Sequence, residues 1–433
     1  MLPSCRFQLD KGLRSVQSYS RTNSVARVRT VLVVAHAWHE DLYGGAFRIA
    51  TELALGLAAN GQHVTYLCCN VGNAPDREVI RGVEVRRYRT RPPSMFAPRF
   101  WQHLLSAKSL ARQIAAEYDI SAVSGHSPLQ YLAVLQTLNS TDRPRCTYVV
   151  HSPFAEEQLA AAGPHRVNWK LRLRATVGSF IDGWCLRGSD VVQCLSRFTV
   201  ELLCRRYGES IRKCCSESPG WVDTERFQPA TDRRLHRAEL PAEWHTDDPI
   251  LLTVRRLESR MGLDTLIEAA ALLADTHPFR ILIGGSGPLA AHLMDAIKRY
   301  GLEDRVFLLG RIPEEQLPAC YSAADAFILP SRSLECFGLI ALEAFAAGTP
   351  VIGARVGAIP ELLAQIGDEW MFEAGDAEGL ARCLRNFLDG QLATAVDLRE
   401  IALRYDICVL LPRWIELCLG PNAEQDAQLH SNG

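Results

Sequence analysis

Short apolar runs rich in β-branched residues alternate with longer helix-like stretches along most of this chain, and the alternation runs through twice. In the first series the strand-like runs fall at residues 30–36, 63–68, 83–88, 122–126, 146–152 and 190–196. In the second they fall at residues 250–254, 279–283, 306–309, 326–329 and 350–354, with helix-like segments at 262–274, 288–300 and 314–323. Strands separated by helices predict parallel sheets with crossover helices. The expected fold is therefore α/β, with two Rossmann-like, doubly wound parallel-sheet domains facing across a cleft. Residues 29–218 would form the first domain and residues 219–405 the second, and residues 406–433 would hold a last helix (408–419) and a tail. Residues 228–248 are polar and irregular. Ligands of such sheets bind outside the carboxyl ends of the strands, so facing sheets would bring both sets of strand-end loops to one cleft.

At 433 residues and 48% hydrophobic, the chain can bury two sizeable cores. No apolar run reaches membrane-spanning length, and residues 1–28 are polar and Ser/Arg-rich. They read as a disordered extension rather than a secretory signal, so a cytoplasmic protein is expected. The 14 cysteines form no Cys-x-x-Cys pairs, which fits free thiols in a reducing compartment and gives no expectation of a bound metal. Charge is divided unevenly: residues 1–220 carry 28 Lys+Arg against 17 Asp+Glu, and the remainder 19 against 32. A basic first half suits an anionic acceptor or peripheral contact with an acidic membrane surface; attraction between the halves explains it equally well. The basic and aromatic segment from Arg86 to Trp101 suits the same partners, or is an ordinary loop. No nucleic-acid motif is present.

The stretch that says most about chemistry is Ser333-Leu-Glu335-Cys-Phe337-Gly338-Leu339-Ile-Ala-Leu-Glu343-Ala-Phe-Ala-Ala-Gly348-Thr-Pro350. It reads as loop, helix, then strand. Gly338 stands where the helix should begin, so the free amides of Phe337, Gly338 and Leu339 can face an anion, reinforced by the helix dipole. At helical rise Glu335 and Glu343 would lie roughly 12 Å apart. That is too far to share a proton, but it suits gripping two ends of a long ligand around a central phosphate. Singly, each glutamate reads equally as surface charge and the glycine as a turn.

The whole string resembles the signature of retaining, nucleotide-sugar-dependent glycosyltransferases of family 4, which have the GT-B fold. The likeness extends through most of residues 30–420. It implies that Glu343 holds the ribose hydroxyls, that Glu335 contacts the donor sugar, and that the amides of Phe337 to Leu339 bind sugar and diphosphate. In Val254-Arg255-Arg256-Leu257-Glu-Ser-Arg260-Met261-Gly262 the family usually has Gly-Arg-Leu and then Lys-Gly, with the Arg and Lys on the diphosphate. Arg256 matches that Arg, Arg255 replaces a Gly, and Met261 replaces the Lys. Arg260 is expected to extend into the site in its place; the alternative is that Arg255 and Arg260 are both solvated, Arg255 above all. Gly285 of the Gly-Gly-Ser-Gly turn is expected near the nucleotide, and Arg311 and Ile312 resemble the segment that receives the nucleobase.

On the other side, Gly44-Gly45 resembles the family's glycine loop, whose backbone approaches diphosphate and acceptor. His151 matches the active-site His, and Glu156 lies beside it on the acceptor side. His126 is a second strand-end histidine, read as structural or acceptor-side. The likeness also implies that the helix over 408–419 crosses back onto the first domain. The expected reaction moves a sugar from a nucleoside-diphosphate sugar to a glycan, lipid-linked or small-molecule acceptor, without cofactor or metal. The departing diphosphate would help deprotonate the acceptor. The substitution at Met261 keeps open a non-catalytic, nucleotide-sugar-binding relative or partner subunit; an epimerase on the same architecture fits the paired glutamates less well.

Overall fold

The computed structural model describes residues 27–90, 99–138, 142–162 and 168–420. The expected extension up to residue 26, the centre of the basic and aromatic segment (91–98) and the tail 421–433 lie outside the described residues.

Two sheets form. The first contains β1 (Arg29–Val34), β2 (Val64–Cys69), β3 (Arg77–Ile80), β4 (Val83–Tyr88), β5 (Asp119–Gly125), β6 (Arg145–Val150), β7 (Val191–Cys194) and β8 (Cys215–Glu217). Its order is β3-β4-β2-β1-β5-β6-β7-β8, and every pairing is parallel except β3 with β4. The second contains β9 (Ile250–Val254), β10 (Arg280–Gly284), β11 (Val306–Gly310), β12 (Ala326–Leu329), β13 (Val351–Ala354) and β14 (Met371–Phe372). It is wholly parallel in the order β11-β10-β9-β12-β13-β14.

Both sheets wind outward in opposite directions from their first strand, so the order reverses between β1 and β5 and again between β9 and β12. In doubly wound sheets the crevice at that reversal receives the ligand. The chain leaves these four strands toward Gly44–Gly45, His126, Arg255 and Glu335 respectively, while His151, Gly285 and Arg311 follow the neighbouring strands β6, β10 and β11.

The strands bury both faces, as parallel strands covered by helices must. Along β1, Val31 and Val33 join one core while Leu32 and Val34 join the other, the two-residue alternation of an extended chain. The core on the Val31 side continues through Trp221 and Val222 into the second domain. The last helix, Ile407–Leu419, belongs to this core as well. Trp414 packs edge-on against Trp221 at 4.9 Å, and the Leu417 carbonyl accepts from Arg145 Nε at 3.0 Å on β6. Asp406 ties the crossing to the hinge: one carboxylate oxygen caps the Cys408 amide (2.7 Å) and the other takes the Thr224 hydroxyl (2.6 Å) and amide (3.1 Å).

Candidate active site

The second sheet's reversal positions the acidic motif. After β9 the chain bends at Arg255, and Arg255 is buried while Arg256 is exposed. Arg255 Nη2 donates to Glu335 Oε2 at 3.1 Å. Ser331 Oγ donates to the same oxygen at 3.1 Å. The Nε and Nη1 atoms of Arg255 are buried with no hydrogen-bond partner. Burial lowers the Arg255 pKa, with the Glu335 charge opposing that shift. Two orphaned guanidinium nitrogens leave donor capacity of the kind that an anion or ordered water normally fills.

Arg256, expected at the diphosphate, has a side chain 69% exposed and paired with Glu258 at 2.5 Å. The reading of Arg255 as solvated is therefore corrected: it is the internal member of the pair. Met261 lies in the hydrophobic core beside Leu263 and Leu266, so the position where the family carries Lys is apolar and filled. Arg260 donates through Nη1 to the Leu334 carbonyl at 3.1 Å, and the Arg332 amide donates back to the Arg260 carbonyl at 2.8 Å. These bonds brace Leu334, a non-glycine residue at φ 49° directly before Glu335. A bulky residue in that region is strained and persists only where its surroundings fix it.

Gly338, at φ 97°, precedes the helix Leu339–Ala346, whose first turn holds no acidic residue. Across the cleft, the helix Gly45–Ala59 starts at the glycine loop. A Cβ on Gly45 would lie 2.9 Å from Leu339 Cδ1, so a side chain there would separate the two helix starts. One turn on, Arg48 Nη1 meets Glu343 Oε1 at 2.6 Å, and both residues are buried. Burial disfavours the Arg48 charge, but Glu343 and Glu52 outweigh it and hold the guanidinium above its ordinary pKa. Glu52 accepts from Trp221 Nε1 at 2.6 Å, and burial pushes its carboxyl up. The two motif glutamates are thus neutralised from different directions, Glu335 within its own domain and Glu343 by the partner domain.

Further contacts span the cleft. The Arg311 guanidinium stacks over Tyr43 at 4.4 Å. Glu361 accepts from the Phe198 (2.7 Å) and Arg197 (3.1 Å) amides at the start of the helix Arg197–Tyr207, a carboxylate where the dipole favours one. Ile312 packs against Gly284, and Gly285 (φ 131°) is locked to the chain after β9: a Cβ there would lie 1.9 Å from the Arg255 carbonyl oxygen. The Gly-rich turn therefore holds the Arg255 backbone in place.

His126 and His151 follow adjacent strands and join. His126 Nδ1 lies 3.0 Å from His151 Nε2, their rings stack at 5.3 Å, and His126 Nε2 lies 3.1 Å from Ser124 Oγ. His126 is thus the direct support of His151 rather than an isolated histidine. Burial lowers the His151 pKa from 6.5 to about 4, and burial followed by the His151 charge lowers that of His126 as well. The pair is neutral at pH 7. In the unfolded chain both would protonate near pH 6.5, so acid favours unfolding. Their contribution is complete above pH 6.5 and is lost as pH falls toward 4, by up to about 3 kcal/mol for His151. Urea midpoints should fall between pH 7 and 5, and less steeply in His151→Asn.

Glu156 lies 3.6 Å from Arg206 and lines a cavity of about 340 Å³. Leu159, Phe198 and Leu202 give it an apolar wall, while Arg260, Arg332 and Leu334 close it from the second domain beside Glu335. The basic side chains of Arg86 and Arg87 are not available to an acceptor: Arg86 pairs with Glu117 (2.8 Å), and Arg87 with Asp41 (2.6 Å) and Glu78. No group of three or more metal-ligating side chains gathers among the described residues.

Sequence reasoning passed over Arg48 and Tyr43 and set Arg255 aside. A charged residue among the inward-facing apolar positions of the helix Gly45–Ala59 was the available signal for Arg48.

Paired doubly wound domains with both reversals turned to one cleft define a GT-B architecture, and known structures match it. Sucrose-phosphate synthase from Thermosynechococcus elongatus superposes with a TM-score of 0.75 over 94% of this chain and 100% of its own, at 24% identity. That likeness speaks to the fold alone. The family description "Glycosyltransferase Family 4" matches residues 43–226, and "Glycosyl transferases group 1" matches residues 237–404. The chain belongs to the group 1, family 4 glycosyltransferases. Among characterised relatives, it is 28% identical over 232 residues to 2-deoxystreptamine glucosyltransferase of Streptomyces kanamyceticus, covering 53% of this chain and 59% of that protein. It is 32% identical over 214 residues to the GDP-mannose-dependent alpha-(1-6)-phosphatidylinositol monomannoside mannosyltransferase of Mycolicibacterium smegmatis, covering 48% and 54%. The matches span a little over half the length of these relatives.

Proposed function

We propose that this protein transfers a sugar from a nucleoside-diphosphate sugar to an acceptor, with retention at the anomeric carbon. The observation that carries the reading is the meeting of two strand-end sites: buried Arg255 and Glu335 with the Gly338 helix start on one side, the glycine loop and His151 on the other. The diphosphate lies against the free amides of Phe337 to Leu339, where helix partial charge and the unpartnered nitrogens of Arg255 stabilise negative charge as the glycosidic bond breaks. Glu335 holds a donor hydroxyl, Glu343 the ribose, and Tyr43 with Arg311 flanks the base. Neutral His151, held by His126, orients the donor sugar. No carboxylate is assigned as a covalent nucleophile; positioning and leaving-group stabilisation carry the rate. The names of the relatives favour a UDP- or GDP-sugar, and the largely apolar cavity beside Glu335 suits an acceptor with an apolar part.

Burial of Met261 where the family has Lys favours a second reading, a protein that binds nucleotide sugars without turnover. Thermal shifts against UDP-, GDP- and ADP-sugars identify the donor, since a ligand of the folded state raises its stability. With that donor, wild type should turn over by transfer or slow hydrolysis, and Glu335→Gln should fall at least about 100-fold. Binding without either activity would establish the second reading.

A further inference from the structure

The helix Trp169–Arg187 carries an apolar stripe that the fold leaves uncovered. Its inner face is fixed by Ala175, Gly178, Ile181, Asp182, Cys185 and Leu186. Asp182 anchors that face, accepting from Tyr207 Oη at 3.2 Å and the Ala155 amide at 3.4 Å. Trp169, Leu173, Val177, Phe180 and Trp184 project the other way, each between 41% and 70% exposed. Their spacing of four, four, three and four residues keeps them within roughly 80° of one another around the helix. The stripe runs roughly 22 Å, with a tryptophan at each end.

On the helix itself the exposed charges have one sign. Lys170 and Arg174 border one side, and Arg172 and Arg187 the other. Asp182, the helix's sole acidic residue, points inward and is buried. Among the described residues, no ion pair engages any of these four cations. A solvated helix in a protein of net charge −2 would ordinarily mix both signs. An apolar face flanked by cations and ended by tryptophans matches a helix lying in the plane of an anionic lipid interface. No helix among the described residues is long and apolar enough to cross a membrane, so contact would be made from one side.

We propose that this helix face docks the protein on an anionic bilayer surface. The apolar stripe enters the headgroup region and the four cations meet lipid phosphates. The helix packs on Phe154–Ala162, which supplies Glu156, Leu159 and Ala160 to the cavity, so docking would hold that cavity close to the lipid surface. The proposal stands whatever reaction the cleft performs.

Vesicle flotation of the full chain tests it, with phosphatidylcholine alone and with added phosphatidylglycerol. Wild type should float with the anionic vesicles and weakly with the neutral ones. Phe180→Asp with Trp184→Asp, and separately Arg172→Glu with Arg174→Glu, should each cut binding at least about tenfold. All four positions are exposed, so thermal midpoints should stay near wild type, and the charge variant carries the test alone if the apolar one is unstable. Absence of wild-type binding to anionic vesicles, equal binding to neutral ones, or wild-type binding by the charge variant overturns the proposal. So does a dimer mass by light scattering without lipid that Phe180→Asp with Trp184→Asp reduces to a monomer, since the stripe would then serve a second copy.

Discussion

Arg255→Met should lower kcat/KM for sugar transfer by about 10²–10³-fold, the effect of removing one preorganised donor from a developing anion. The substitution keeps most of the side-chain volume and removes the guanidinium, whose Nε and Nη1 have no protein partner. It also leaves Glu335 with Ser331 as its remaining bonded side chain, so part of the loss reflects a misplaced carboxylate. Calorimetric affinity for the free nucleoside diphosphate separates the two effects: losing the cation weakens the product as well as the transition state. Arg256→Met, acting on an exposed side chain, should cost much less. Met261→Lys should give no gain, because that position is packed among Leu263 and Leu266 and an ammonium there would be desolvated. A large gain from Met261→Lys would show that the family's cation site is intact and vacant, and would remove Arg255 from the diphosphate.

The Arg255 and Arg256 exchange shows where sequence stops informing. All but the last residue of β9 are buried, on both faces, so no apolar–polar alternation marks which face each following residue takes. The chain bends at Arg255, and that bend, which decides which arginine is internal, is absent from the pattern. Most other strands were legible for the complementary reason: uninterrupted Val, Ile and Leu between helical segments leaves few alternatives. The strands that escaped are the short ones. The edge strand β3 reads Arg-Glu-Val-Ile and is largely exposed, β8 has three residues and β14 two, and pairing rather than composition defines them. The acidic motif was legible because its glycine, amides and glutamates are local. The partner of Glu343 was not, because Arg48 lies almost 300 residues away and only the packing of the two domains brings them together. The same holds for Tyr43 with Arg311, whereas His126 and His151 meet within one domain because β5 and β6 are neighbours in the first sheet.

Arg48→Leu should then be the most damaging single change to stability, by about 3–5 kcal/mol, because it strands a buried carboxylate rather than merely deleting a contact. Glu343 is 4% exposed, and burial already raises the Glu52 pKa, with the Arg48 charge opposing that rise most strongly. The pH dependence gives the test its sign. A carboxyl whose folded pKa lies above its unfolded value favours the folded state below the unfolded pKa and loses that contribution as pH rises through the folded pKa. The deficit of Arg48→Leu relative to wild type should therefore shrink as pH falls from 7 toward 5, when the stranded carboxyls take up protons. The histidine pair destabilises both proteins equally over that range and cancels in the difference. Urea midpoints at the two pH values measure it, and a deficit independent of pH would mean that lost packing, not stranded charge, accounts for the change. Adding Glu343→Leu to Arg48→Leu should recover part of the loss, since removing both members of a buried pair costs less than removing one. The same ion pair bears on the proposed site: one oxygen of Glu343 is already held by the other domain, so if Glu343 holds the ribose as proposed, Arg48→Leu, assayed where it remains folded, should also raise the donor KM.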